Sequence, residues 1–347
     1  MKSLVFHGKD DLRIEERPLP EIGDCEALLE VHAAAICGTD IRVKEFGHRC
    51  IPDGSSRILG HEMSGKVVEI GNGVNNLKVG DRVSVAPVAG CGYCKYCIES
   101  NATLCSENKI LGLSLDGGFS QFMKIPQSHI TGGNAFVLPE EIDYEIAAIA
   151  EPLATVFCGI EMCDVKPASI VCIIGAGPIG LMHIILSKVF GAQKIIVSEM
   201  IEKRQEMARK FGADVVIDPK KQDVIEEVMA NSYGRGADAV FVAVGSDKAQ
   251  QQAIDLAAIG GYVNLFGTLP KGKEYVKINT NLIHYKNLKV LGMTGTTVKN
   301  YYRVLELLTS AKIDLRPLIS RVFRLEEFEE AFEFAASTSS LKVLFKL

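Results

Sequence analysis

No stretch of the 347-residue chain approaches ~18 apolar residues without a charge, so no membrane-spanning helix is expected. An apolar leader is missing too. The opening MKSLVFHGKDDLRIEE brings charges too early for a secretory signal, which points to a soluble, cytoplasmic protein. Basic residues are not in excess. Lys and Arg number 38 against 43 Asp and Glu, a net charge of −5, so neither a nucleic-acid-binding footprint nor an acidic tail is favoured. There is no internal repeat and no low-complexity segment. With 47% hydrophobic and 23% charged residues, the composition excludes extended disorder and collagen-like structure. What is left is a globular protein long enough for roughly two domains.

Cysteine is what the chain does have. There are ten, and four of them, Cys91, Cys94, Cys97 and Cys105, are spaced C-x2-C-x2-C-x7-C. In a long chain without a secretory leader such a set reads as reduced thiols that ligate metal rather than as disulfides. Thiolates two residues apart can turn back on one ion, and four sulfurs fill a tetrahedral zinc site. The spacing matches neither of the usual ferredoxin patterns. With no vacant position, this lobe (about residues 88–108) is expected to be structural.

The chain changes character at its middle. Residues 1–150 hold alternating or apolar runs such as ALLEVHAAAI, MSGKVVEIG and DRVSVAPV between glycines and turn residues, the mark of many short strands. From Ile170 onward, six apolar strands alternate with helices, which indicates a doubly wound parallel sheet covered on both faces. Its opening, GAGPIG at Gly175 to Gly180, follows the strand SIVCII and starts a helix at Pro178; Glu199 ends the next strand. These are the contexts of a dinucleotide site. Glu199 can accept from a ribose diol and repel a 2′-phosphate, favouring NAD over NADP, although Lys203 and Arg204 could instead hold a phosphate. The last ~50 residues read as helix, strand, helix, strand. They either continue the α/β layer or return to the first domain, and the residues alone leave both open.

A third group is scattered: Cys37 in ICGTD, His61 and Glu62 in LGHE, Glu151 in AEPLA. Each alone reads more naturally as core, surface pair or helix boundary. Together, a Cys, a His and two carboxylates ahead of a nucleotide site are the ingredients of an open zinc site.

With these residues in view, the chain resembles the zinc-dependent medium-chain alcohol and polyol dehydrogenases over essentially its full length. The matching signatures are CGTD at 37–40, GHE at 60–62, VGDRV at 79–83, the cysteine lobe, DGGFSQF at 116–122, AEP at 150–152 and GAGPIG. The resemblance implies a GroES-like β-rich catalytic domain, residues 1–152 and 292–347, with a Rossmann six-stranded domain, residues 153–291, inserted in it. It implies a catalytic zinc on Cys37, His61, Glu62 and Glu151, with either carboxylate as the direct ligand, and a structural zinc on the four-cysteine lobe. Thr39, Glu62 and Glu151 are the implied catalytic residues, Thr39 as the hydroxyl that hands the alcohol proton onward. NAD is placed on Gly175, Gly177, Pro178, Ile179, Gly180, Glu199, Arg204, Val244, Phe266, Gly267, Thr268, Met293, Thr294 and Gly295. The implied assembly is a homodimer or homotetramer, with no nucleic-acid or membrane partner.

The expected reaction is hydride transfer to NAD from a secondary alcohol, foremost a polyol or polyol phosphate of the sorbitol or galactitol 1-phosphate type. L-Threonine 3-dehydrogenase and butanediol dehydrogenase are the enzymatic alternatives. A non-catalytic NAD sensor with only the structural zinc, or a zinc-free quinone or enoyl reductase, are the others. One position departs from the family: Arg42 stands where many relatives have a histidine that ends the proton relay, and arginine cannot take up a proton. Arg42, His48 and Arg49 could present charge to an anionic substrate instead. The loop HRCIPDGSSR, with Cys50, is where substrate preference is expected to be set. Asp40 is expected to be a buried hydrogen-bonding group. His7, His32, His129, His183 and His284 lack metal-ligand company, and Cys158, Cys163 and Cys172 read as core.

Overall fold

The computed structural model describes residues 1–310 and 312–347. The chain divides into two compact units, Met1–Ala154 with Gly295–Leu347, and Thr155–Thr294. Among the described residues, no helix is long and apolar enough to cross a membrane.

The discontinuous unit is built on a seven-stranded mixed sheet. Its central strand, Ala27–Ile36, pairs antiparallel with Glu62–Ile70 on one side and with the terminal strand Lys342–Lys346 on the other. The tail therefore returns to the first part of the chain. Ile319–Arg324 lies parallel beside the terminal strand and closes that edge. The register sets Ala35 opposite Glu62, and its neighbour Ile36 opposite Val343. Its buried side chains form a core in which Phe119 meets Phe332 and Phe345 edge to face. Phe328 and Ala335, on the helix of Phe332, pack against that same core.

The continuous unit is a six-stranded sheet whose neighbours are all parallel. The spatial order is Val215–Ile217, Lys194–Ser198, Ile170–Ile174, Ala237–Val242, Ala257–Leu265, Lys289–Gly292. This is the doubly wound Rossmann order, with its reversal beside Ile170–Ile174. All five residues of that strand are buried, as a strand covered on both faces requires. Local signals set the helices. Pro178 begins one just after Gly177, Asp223 caps another through the Ile225 and Glu226 N–H groups, and Gly212 ends a third at φ 102°. One strand starts earlier than the run YVNLFG indicates, at Ala257. Gly260, at φ 76°, and a register shift against Ala237–Ala239 let the chain leave its helix directly into a bulged strand.

Candidate functional site

Cys37 directly follows the central strand and caps the helix Gly38–Phe46. His61 and Glu62 open the neighbouring strand, so sheet pairing alone brings residues more than twenty positions apart to one place. Cys37, His61 and Glu62 each offer one ligand atom within 4.8 Å of the others. Asp40, fully buried, accepts from the Cys37 backbone N–H at 2.8 Å and sets its other oxygen 3.5 Å from His61 Nδ1. That arrangement fixes the ring and leaves Nε2 for a metal. Burial works against a charged His61, but the Asp40 carboxylate and the Cys37 sulfur overcome it and hold the imidazole pKa well above its ordinary value.

Do these residues fit a cation? Glu62 Oε1 is buried with no hydrogen-bond partner. Orphaned buried acceptors are costly. One sulfur, one imidazole and one carboxylate form a zinc donor set with a fourth position to spare. The fit is good. Glu151 is buried on the first turn of the helix Ala150–Met162, near enough for its charge to act on Lys342 and Tyr301.

Sequence reasoning missed Lys342. It is buried at the start of the terminal strand and donates to Glu62 Oε2 and, at 3.1 Å, to the Ile36 carbonyl. Nothing in KVLFKL distinguishes it from a surface lysine; only the strand register does.

Cations also line this place. Arg42 donates to Thr39 Oγ1 at 3.4 Å, a long bond. His48 is half-buried and its Nδ1 accepts from the Cys50 N–H. Burial, then the charges of Arg49, His61 and Arg42, hold its pKa below the ordinary value.

The cysteine lobe is a second metal cluster. Cys91, Cys94, Cys97 and Cys105 all place their sulfurs within 4.8 Å of one another. Cys94 and Cys97 are 3.5 Å apart and Cys91 and Cys97 3.9 Å. Sulfurs about 2.3 Å from a shared zinc stand roughly 3.8 Å apart at tetrahedral angles, so four thiolates fit here too. The N–H groups of Cys94 and Glu107 donate to Cys91 and Cys105 sulfurs, both at 3.4 Å. Burial raises the Cys91 thiol, but N–H groups of Tyr93 and Cys94 outweigh it and bring the value down to about 7.

The nucleotide loop is built from backbone. Gly175 has φ 96°, and a Cβ on Gly180 would lie 1.9 Å from the Gly175 carbonyl oxygen. A Cβ on Gly177 would meet nothing nearer than Arg204 Nη1 at 3.8 Å, so that face is open. Pro178 and Ile179 begin the helix whose N-terminus faces this turn. Glu199 accepts from the Ala176 N–H at 2.7 Å and the Ile201 N–H at 2.9 Å, so its carboxylate ties the glycine turn to the next strand. Val244, Phe266, Gly267 and Thr268 follow the ends of adjacent strands, where Gly267 packs on the Val244 backbone. Met293 and Thr294 follow the edge strand of the same unit. Gly295 falls in the other unit, where its α-carbon lies close to Thr103 of the cysteine lobe.

The remaining histidines pair elsewhere: His7 with Glu15, His129 with the Pro87 carbonyl, His32 stacked on Tyr144. His183 lies between Phe241 and Phe266, and burial pushes its pKa down to about 4. His284 sits edge to face with Tyr285. Cys163 and Cys172 are core; Cys158 is only partly buried.

Comparison with known proteins agrees with this geometry. Residues 23–133 match the alcohol dehydrogenase GroES-like domain and residues 178–310 match the zinc-binding dehydrogenase family. The L-threonine 3-dehydrogenase of Pyrococcus abyssi is 36% identical over 353 residues, covering 100% of this chain and 97% of that protein. The sorbitol dehydrogenase of Bacillus subtilis is 32% identical over 339 residues, 96% and 93% of the two chains. A solved structure from Sinorhizobium meliloti, described as a zinc-binding dehydrogenase bound to NADP, superposes with a TM-score of 0.91 at 31% identity, covering 100% and 99%.

Proposed function

The chain belongs to the zinc-dependent medium-chain dehydrogenases, and on that premise we propose that it oxidises a small secondary alcohol carrying an anionic group, with L-threonine the leading substrate. It is an oxidoreductase of CH–OH donors that uses NAD(P) and zinc. The observation that carries the finer reading is the pair of arginines, Arg42 and Arg49, whose charges reach His48 beside the Cys37–His61–Glu62 cluster. A carboxylate suits such a set, and arginine offers it a planar, permanently charged fork. The sequence-based expectation led with a polyol or its phosphate. The phosphate remains the second reading because the same cations suit it; an uncharged polyol offers them hydroxyl acceptors but no charge to pair with.

Cys37, His61 and Glu62 would hold the catalytic zinc, and the cysteine lobe a structural one, two per chain. When bound, zinc supplies Lewis acidity toward the substrate hydroxyl oxygen, and NAD takes the hydride. The chain's own residues do the rest. Asp40 keeps the His61 ring turned, and Thr39 relays the alcohol proton, accepting it as its own hydroxyl proton passes on. Arg42, which donates to Thr39, cannot receive that proton, so it leaves through Glu151 or bulk water. Arg42 and Arg49 align the anionic end of the substrate. A homodimer or homotetramer in the cytoplasm completes the reading.

Initial rates of NADH formation on L-threonine, galactitol 1-phosphate, sorbitol and butane-2,3-diol test the substrate class. L-Threonine is expected to give the highest kcat/KM. Arg49→Gln should cost about tenfold or more on L-threonine and leave butane-2,3-diol unchanged, as loss of a charge-assisted contact predicts. Equal losses on both, or sorbitol as the best substrate, would overturn the anionic assignment.

NAD is favoured over NADP by Glu199. Glu199→Ala should lower the ratio of kcat/KM for NAD over NADP by about tenfold or more, since a carboxylate at this place accepts from the ribose diol and repels a 2′-phosphate. An unchanged ratio places the carboxylate off the ribose.

A further inference from the structure

Lys342 and Glu62 flank the end of the central strand, one on each side. Ala35 pairs with Glu62 across one neighbour, and Ile36 pairs with Val343 across the other. The lysine therefore reaches across the strand end. It is 4% exposed, is held by the Ile36 carbonyl at 3.1 Å, and donates to Glu62 Oε2. The carboxylate it meets is 0% exposed, and its other oxygen, Oε1, has no partner. Such an arrangement commits one carboxylate oxygen to the lysine and leaves the other for a second cation.

We propose that Lys342 is a positioning residue that restricts Glu62 to a single oxygen toward the catalytic metal and so keeps the fourth metal position open for substrate. The inference rests on the reading above that Cys37, His61 and Glu62 hold zinc. Cys37, His61 and one Glu62 oxygen make three ligands, the number an open zinc site needs. Were Oε2 released, a carboxylate with both oxygens free could chelate the ion and fill the vacancy. The lysine also lies near Cys37 and Glu151, so the buried charges are shared among several partners. A merely structural ion pair would hold the strands together without affecting the metal's ligand count.

The test uses the full-length protein with cobalt(II) in the catalytic site, because cobalt's visible bands report coordination number and its thiolate charge-transfer band reports the Cys37 bond. In Lys342→Met, the visible bands should weaken as the ligand count rises, cobalt should leave to a chelator about tenfold more slowly, and kcat should fall. Lys342→Arg, which keeps a cation, should restore the wild-type spectrum. Should Lys342→Met fail to fold, Lys342→Gln carries the test with the same signs. A folded Lys342→Met or Lys342→Gln protein with unchanged bands and unchanged chelation rate overturns the proposal, whatever its melting temperature. If the charge-transfer band is instead missing in the wild type, or survives Cys37→Ser, the zinc assignment itself is wrong. A band that is present but insensitive to position 342 defeats only this inference.

Discussion

Turnover of Cys37→Ser is expected to fall by about three orders of magnitude or more while NADH still binds. Lewis-acid stabilisation of the reacting oxygen contributes several kcal/mol, and each ~1.4 kcal/mol is tenfold in rate. The serine keeps the volume and the helix cap but loses the thiolate that anchors one corner of the donor set. Coenzyme affinity, read from NADH fluorescence, should not change, because the glycine turn and Glu199 belong to a separate compact unit. Metal content should fall from about two zincs per chain to about one, the survivor lying in the cysteine lobe. A variant that retained most of its activity would refute the assignment of Cys37 to the metal. A wild type with a single zinc would point to a protein that keeps only the structural ion.

Two glycines five residues or less from Gly175 should fail in different ways. In Gly180→Ala the added carbon lands 1.9 Å from the Gly175 oxygen and 2.9 Å from its carbonyl carbon, both backbone atoms that cannot swing aside. The helix must lift from its strand. Overpacking of this kind costs about 1–3 kcal/mol of stability, so the melting temperature should drop together with NAD affinity. Gly177→Ala has no such clash, its nearest neighbour being an arginine tip at 3.8 Å. It should melt like the wild type, yet bind NAD about tenfold or more weakly because the new methyl occupies the approach to the pyrophosphate. Calorimetry and NADH titration of the two variants separate these outcomes. If Gly180→Ala melts and binds normally, close helix–strand contact is not what the glycine provides.

Much of this site was legible because its chemistry is written locally. Cys91 to Cys105 are close in the chain, and the Gly175–Gly180 turn sits between a strand and a helix that announce themselves by composition. Cys37 and His61 were weaker signals, made readable by their company. The residues alone did not decide where the tail goes, since LISRVFRL and KVLFKL would suit either sheet. Lys342 was hidden for the same reason: its partner lies 280 positions away, and only pairing on both sides of Ala27–Ile36 brings them together. That Glu199 also accepts from the Ala176 and Ile201 N–H groups was not readable, because backbone partners leave no mark in the sequence.

The strand that carries Lys342 also constrains how the molecule is made. Its partners, Ile36 and Glu62, emerge from the ribosome early, and must wait while all of Thr155–Thr294 is synthesised before the strand that seats beside them appears. Contacts this distant in sequence close late, after the entropy of a very long loop has been overcome. During translation the nascent chain therefore carries a thiol, an imidazole and a carboxylate without their lysine.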